Sequence, residues 1–133
     1  MESTPSMPSE ETVDVMAAAR SNDAFRRVIE TGEHEQVVVM TIPVGGEIGE
    51  EVHATTDQVL LFVEGEAEVV LSGHRSSAGP GDLVFVRAGT RHNFLNSGGD
   101  VLRLITIYAP PEHAPGTIHE TKEDADRAEH AEG

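Results

Sequence analysis

Four residues in the central part of the chain have side chains that can bind metal ions, and three of them are closely spaced. Glu51 and His53 are separated by one residue, so in extended chain both side chains lie on the same face. Gln58 opens the next apolar run and His92 opens a later one. If the strands form a barrel that brings these positions to one opening, the four side chains are predicted to bind a divalent ion such as Fe, Mn, Zn or Ni. Imidazole nitrogen and carboxylate oxygen are common ligands of these metals.

Three of the four form a set of two histidines and one carboxylate. Glu51, His53 and His92 make up this set, which on iron leaves coordination positions open for substrate or dioxygen. A neutral amide is a poorer ligand than a carboxylate. The alternative is therefore that Gln58 does not bind and that the site is empty.

The stretch that carries the first three of these residues resembles the first motif of the cupin family. The usual form of that motif is G-x5-H-x-H-x4-E-x6-G, and this chain has Gly45, Glu51, His53, Gln58 and Gly65 at the same intervals. The spacing is complete, but the first histidine is replaced by Glu51 and the glutamate by Gln58. The formal charge of the ligand set is the same, because the carboxylate has effectively moved from one position to another.

A second stretch resembles the other cupin motif, G-x5-P-x-G-x2-H-x3-N. Gly81, Gly89, His92 and Asn96 stand at the required intervals, with Arg87 where proline is usual. The segment 106–122 is also similar to the tail of small single-domain cupins, which are often labelled mannose-6-phosphate-isomerase-like. The resemblance implies a double-stranded β-helix barrel of RmlC-like type with a metal inside, and it implies no particular substrate.

The other polar candidates are expected to have structural roles. Histidines in acidic or turn contexts should lie on the surface; these are His34, His74 and His130. His113 and His119 would approach bound substrate only if the tail folds over the barrel mouth. Arg103 is expected to form an outward salt bridge rather than an interior anion site, and Tyr108 to pack at a strand end.

Short apolar runs separated by turn residues must position the candidate ligands. They are rich in β-branched and aromatic residues, as strands are, and they cover 36–42, 58–63, 67–72, 82–86, 92–96 and 101–108. Gly45, Gly65, Gly81 and Gly89 fall between runs, where a turn needs positive φ. Strands at this interval predict an all-β antiparallel sandwich or barrel.

The ends of the chain differ from this central part. Residues 1–23 are predicted to be a flexible acidic segment, with fraying over the first eight residues and a short helix from Glu10 to Arg20 capped by Ser9. Residues 24–112 are the barrel. Residues 113–133 form an acidic tail, with a helix that starts near Thr121.

Composition excludes several classes of function. The 133 residues include 24 acidic and 9 basic ones, a formal net charge of -15, which disfavours binding to nucleic acid or anionic membranes. The absence of cysteine excludes disulfides and thiol catalysis. The start of the sequence lacks the basic and apolar blocks of a signal peptide, so a cytoplasmic protein is expected. Lys122 is the only lysine, which fits either a high-salt cytoplasm or an arginine-rich genome.

Three functions remain open for a barrel of this kind. The first is a metal-dependent oxygenase acting on a small organic molecule. The second is a sugar or sugar-phosphate isomerase, which needs a base and, for phosphate, a cation that the interior offers only in Arg103. The third is a non-catalytic barrel that binds or senses a small ligand. A homodimer is expected in each case, with strand 36–42 as a free edge for the partner.

Overall fold

The structure, a computed structural model, describes residues 12–132. The nine strands and two helices of these residues are, in chain order, α1 Val15–Ser21, β1 Arg26–Thr31, β2 Gln36–Ile42, β3 Asp57–Glu64, β4 Ala67–Leu71, β5 His74–Ala78, β6 Leu83–Val86, β7 His92–Asn96, β8 Leu102–Ala109, β9 Ile118–His119 and α2 Lys122–Glu132. All six predicted strands are present to within one residue at each end. β1, β5 and β9 are additional: β5 is entirely polar apart from its last residue, and β9 has only two residues.

The strands form two antiparallel sheets, which confirms the all-β double-stranded β-helix with short helices near its ends. The larger sheet has the order β6-β3-β8-β2-β1-β9, and the smaller has the order β5-β4-β7. β2 lies between β8 and β1, so the prediction that it is a free edge was wrong. The sequence missed this because β1 carries two arginines and a glutamate among its six residues. The homodimer stays a prediction.

The main core fills the space between the two sheets. β2 and β3 contribute alternate residues to it, Met40 and Ile42 from the first and Leu60 and Phe62 from the second. Phe94 faces them from β7 of the smaller sheet. This alternation is what a strand with one face on the core produces.

Helix α1 covers part of the outer face of the larger sheet. Ala19 of α1 is fully buried against Val39 and Ile105, which point away from the main core. Both faces of β2 are therefore buried, which explains its unbroken apolar run.

The helix begins at Val15 with Asp14 as its cap, since the Ala17 N–H donates to Asp14 Oδ1 at 3.1 Å. The predicted start at Glu10, the predicted Ser9 cap and the fraying of the first residues all lie outside the described residues. Residues 12–14, which the prediction also made helical, precede the helix.

Arg103 joins α1 to the larger sheet. Its guanidinium lies 3.0 Å from Glu64 Oε1 and 3.0 Å from Asp23 Oδ1, and its Nε donates to the carbonyl of Asn22 at 3.2 Å. This arrangement confirms the outward salt bridge, which we expected in preference to an interior anion site. Arg103 therefore does not supply a positive charge to the barrel interior.

The chain after β8 returns along the barrel. β9 pairs with the start of β1, and α2 begins at Lys122, one residue after the predicted cap Thr121, whose Oγ1 accepts from the Asp124 N–H at 3.0 Å. Residues 110–117 connect the end of β8 to β9. No helix among the described residues is long and apolar enough to cross a membrane.

Candidate metal centre

Glu51 and His92 are held side by side by their own backbones. The Glu51 N–H donates to the His92 carbonyl and the His92 N–H donates to the Glu51 carbonyl, both at 2.9 Å. His92 is the first residue of β7, and Glu51 lies in the loop between β2 and β3. The loop is thus fixed to the strand before any side chain contact is made.

Three predicted ligands come together at this point. Ligand atoms of Glu51, His53 and His92 all lie within 4.8 Å of one another, so the group could hold a metal ion. Glu51 Oε1 is 3.2 Å from His53 Nε2 and 3.9 Å from His92 Nε2. The two imidazole rings are 5.2 Å apart between centroids.

The ring nitrogens fit a metal ion. The Nε2 atoms of His53 and His92 are both buried; His92 Nε2 has no hydrogen-bond partner among the described residues, and His53 Nε2 faces the Glu51 carboxylate, which would share a bound ion with it. His92 Nδ1 lies 2.8 Å from the Thr90 carbonyl, which can only accept, so this nitrogen is the donor and Nε2 of the neutral ring carries the lone pair. Burial lowers the pKa of His92, and the neighbouring His53 lowers it further, which favours that neutral form. The donor set therefore suits a divalent ion.

Gln58 is buried on β3, where its neighbours across the sheet are Tyr108 and Val86. Its Nε2 donates to Thr106 Oγ1 at 3.0 Å, which orients the amide. Its Oε1 is buried without a hydrogen-bond partner among the described residues, so the lone pairs of this oxygen are available to bind a metal ion. Its role as a ligand stays a prediction.

A fourth acidic or imidazole group adjoins the cluster, and the sequence did not single it out. Glu112 Oε2 lies 3.3 Å from His53 Nδ1, on the side of the ring opposite to Glu51. The carboxylates of Glu112 and Glu51 raise the pKa of His53 to about 9, despite its burial. The same contact with His53 lowers the pKa of Glu112. Burial alone would raise the pKa of Glu51, but His53 and the charges around it outweigh burial and lower it.

The side chain of Gln36 holds Glu112 in place. Gln36 is fully buried at the start of β2, and its Oε1 accepts from the N–H groups of Glu112 and His113 at 3.2 and 3.0 Å. Its Nε2 donates to the His113 carbonyl at 2.6 Å and to Thr31 Oγ1 at 2.9 Å. One glutamine therefore fixes residues 112–113 against the barrel, and it appeared in the sequence only as the first residue of a strand.

The residues around the cluster include a buried cation. Arg26 is 3% exposed, and its positive charge helps to lower the pKa of Glu51. Tyr108 is also buried, with its ring 5.9 Å from His53 and 5.2 Å from His113, and burial raises its pKa to about 12. Burial and the charge of Arg26 lower the pKa of His113 to about 4, so this imidazole is neutral near pH 7.

The histidines expected on the surface have mixed outcomes. His34 and His74 are exposed, as predicted, although His74 begins β5 rather than lying in a turn. The side chain of His130 is outside those that the structure describes. The ring of His113 packs 5.2 Å from that of Tyr108, which in turn contacts His53, and His119 lies one ring further away, with its centroid 6.4 Å from that of His113.

Comparisons with known proteins agree with this architecture. Residues 38–108 match the family model described as Cupin domain. The protein YrkC of Bacillus subtilis (strain 168) is 38% identical over 128 residues, which cover 92% of this chain and 69% of YrkC. A protein of Acanthamoeba polyphaga mimivirus is 35% identical over 111 residues, which cover 80% of this chain and 69% of that protein. The crystal structure of BH2720 from Bacillus halodurans has a TM-score of 0.87 at 38% identity, covering 90% of this chain and 96% of that chain.

Proposed function

The chain belongs to the cupin family, and from that premise we propose that it is a metal-dependent enzyme of the oxygenase type acting on a small organic molecule. The observation that carries the proposal is the cluster of Glu51, His53 and His92 within 4.8 Å, in which His92 Nε2 is buried without a hydrogen-bond partner among the described residues and His53 Nε2 is directed at the Glu51 carboxylate. Two imidazoles and one carboxylate are the set that non-haem iron oxygenases use.

Each residue around the cluster has a distinct part in this proposal. Glu51, His53 and His92 would hold the metal, with the amide oxygen of Gln58 as a fourth ligand. A divalent iron ion bound there supplies open coordination positions for substrate and dioxygen. Glu112 accepts from His53 Nδ1 and thereby directs the His53 Nε2 lone pair towards the metal. Buried Tyr108 limits the access of water to the site from the β8 side.

An isomerase is the second candidate, and Arg26 favours it. The sequence offered no interior cation other than Arg103, which forms surface salt bridges instead. Arg26 is a buried cation beside the cluster and could hold an anionic group of a substrate. The requirement for dioxygen separates the two reactions, because an isomerase works without it.

The first experiment asks whether the cluster binds metal. The protein is purified without added metal, and Fe, Mn, Zn, Ni and Cu are measured per chain in the parent, in His53→Ala/His92→Ala and in the control His34→Ala/His74→Ala, whose histidines are exposed. We expect close to one ion per chain in the parent and in the control, and less than a tenth of that in the first variant. Equal metal in all three proteins would show that the site is elsewhere.

The second experiment asks which reaction the site supports. Iron-loaded protein is mixed anaerobically with nitric oxide, and the electron paramagnetic resonance spectrum reports whether a coordination position is open. Dioxygen uptake is then followed with a panel of small organic acids and sugars. Uptake linked to product formation supports the oxygenase. Anaerobic turnover with Zn or Mn supports the isomerase, and a filled site without turnover on any compound supports a binding protein.

A further inference from the structure

Arg26 is a buried guanidinium whose charge is only partly matched. Among the described residues its one side-chain polar partner is Nδ1 of His119, 3.2 Å from Nη1, and its Nε is buried without a partner. The guanidinium also lies over the ring of Phe25, 5.2 Å from the centroid. Removing a charge from water without an opposite charge or full hydrogen bonding is costly, so a buried arginine in this state has unused capacity to bind an anion.

A small cavity adjoins this guanidinium. Its volume is about 70 Å³, and its walls include Arg26, Glu112, His113, Thr117 and His119. The His113 Nε2 atom is buried and has no hydrogen-bond partner among the described residues. Glu112 belongs to the wall of the cavity and also lies 3.3 Å from His53 Nδ1, so this carboxylate links the cavity to the metal centre through the ring nitrogen opposite the metal-binding Nε2.

The charges around the cavity favour binding of an anion once a metal is present. A divalent ion on neutral imidazoles, together with the partly buried Glu51 and the buried Arg26, carries two net positive charges. Glu112 and Glu129 also contribute to the wall, but both residues are exposed and water screens their charges. A bound anion would lower the net charge of the buried groups.

We propose that this cavity binds the carboxylate of the substrate, with Arg26 as its principal contact. The proposal rests on the proposed metal-dependent function and narrows its substrate class to small carboxylic acids. A planar guanidinium matches a carboxylate with two parallel hydrogen bonds. The cavity volume of about 70 Å³ is sufficient for a carboxylate group, and phosphate serves as the competing anion in the test.

The test compares three probes on the same protein. Acetate, neutral acetamide of nearly the same shape, and inorganic phosphate are titrated into Zn-loaded and metal-free protein at pH 7.5, with affinities from calorimetry and from saturation-transfer NMR of the methyl groups. For the loaded parent we expect acetate to bind at least tenfold more tightly than acetamide or phosphate. The same preference, with weaker binding, is expected in metal-free protein.

Variants of one strand show whether Arg26 is responsible. Arg26→Gln should lower acetate affinity at least tenfold and leave acetamide unchanged. Arg27→Gln is the matched control, because Arg27 is the next residue of β1 and is exposed on the other face. Its acetate affinity should stay within twofold of the parent.

If circular dichroism shows that Arg26→Gln does not fold, Arg26→Lys takes its place. Lysine keeps the positive charge but lacks the two parallel N–H donors of the guanidinium, so we expect at least a threefold loss of acetate affinity. Unchanged affinity in whichever variant folds would overturn the assignment of Arg26.

Two further results would overturn the carboxylate proposal. Phosphate that binds as tightly as acetate, with the same dependence on Arg26, would show that the substrate class is wrong. Absence of acetate binding in protein that holds its metal would remove the carboxylate site and leave the proposed function standing. Metal content measured on the same samples separates that result from a failure of the metal centre itself.

Discussion

His53 Nδ1 and Glu112 Oε2 lie 3.3 Å apart, and this contact joins the candidate metal centre to the segment that follows β8. The imidazole is therefore placed between two carboxylates, Glu51 on its Nε2 side and Glu112 on its Nδ1 side. A carboxylate that accepts from the far nitrogen of a metal-binding histidine fixes its tautomer and orientation. Residues 110–119 thus contribute to the site without supplying a ligand in the cluster.

Replacement of Glu112 should weaken metal binding without removing a ligand. In Glu112→Gln the carboxylate that orients His53 becomes a neutral amide, and we expect metal affinity to fall by about 10- to 100-fold. Competition with a chromophoric chelator measures the change. Glu120→Gln is the control, since Glu120 is exposed on the same segment of chain. An affinity within twofold of the parent in Glu112→Gln would show that this contact does not orient the ligand.

The stability of metal-free protein should decrease above neutral pH because of His53. Its pKa is raised from 6.5 to about 9 in the folded protein, so protonation favours the folded state. The contribution is complete below pH 6.5 and is lost as pH rises through 9; it amounts to at most about 3 kcal/mol. Urea unfolding with a chelator present, from pH 6 to 9.5, measures it. His53→Gln should flatten this part of the profile, and an equally steep decline in that variant would assign the effect to other groups.

Glu51 should matter more to metal affinity than Gln58. Glu51 is the only carboxylate of the predicted ligand set, and loss of a charge beside a partly desolvated ion costs more than loss of a neutral dipole. We therefore expect Glu51→Gln to lower the affinity at least tenfold more than Gln58→Ala does, measured by chelator competition. The reverse order would identify Gln58 as the stronger ligand.

The sequence predicted correctly that Glu51, His53 and His92 lie close together. The spacing of the two cupin motifs indicated this, although Glu51 and His53 belong to the loop between β2 and β3 and not to a strand. The apolar run of β2 likewise predicted its bounds.

The residues that the sequence missed depend on long-range contacts. Arg26 and Arg27 are the same residue type, yet one is buried and the other exposed, because the pairing of β1 with β2 and β9 decides which face of the strand is inside. Glu112 acquires its role only when Gln36 holds it beside His53. One signal was available: β1 alternates Arg26 and Val28 on one face, which is the period of a half-buried strand.

Gly65 tests the turn that joins β3 to β4. Its φ is +90°, and an added Cβ would lie 2.5 Å from the Val101 carbonyl oxygen. Gly81 is a matched control, with φ of +89° and nothing within 4 Å of an added Cβ. Gly81→Ala should cost about 1–3 kcal/mol of unfolding free energy from backbone strain alone. Gly65→Ala should cost clearly more, because backbone atoms must also move, and equal losses in urea unfolding would contradict the close approach.

The segment after β8 extends the edge of the larger sheet and also reaches the candidate site. β9 extends the larger sheet beside β1, while Glu112 contacts His53. A truncation after Ala109 should therefore lower both the unfolding free energy and the metal affinity. The loss of affinity should be about equal to that of Glu112→Gln, since the predicted ligands all remain.

Gln36→Met tests, in a chain of full length, how residues 110–119 contribute to the unfolding free energy and how they contribute to metal affinity. The variant removes the acceptor for the Glu112 and His113 N–H groups and the donor to the His113 carbonyl, and we expect a loss of roughly 1–3 kcal/mol in urea unfolding. Metal affinity should fall towards the value for Glu112→Gln, because the carboxylate is no longer held beside His53. Thr31→Val is the control, since it removes only the hydroxyl that Gln36 contacts on β1. If truncation abolishes metal binding while Gln36→Met and Glu112→Gln only weaken it, a residue beyond Ala109 is itself a ligand and the proposed set is incomplete.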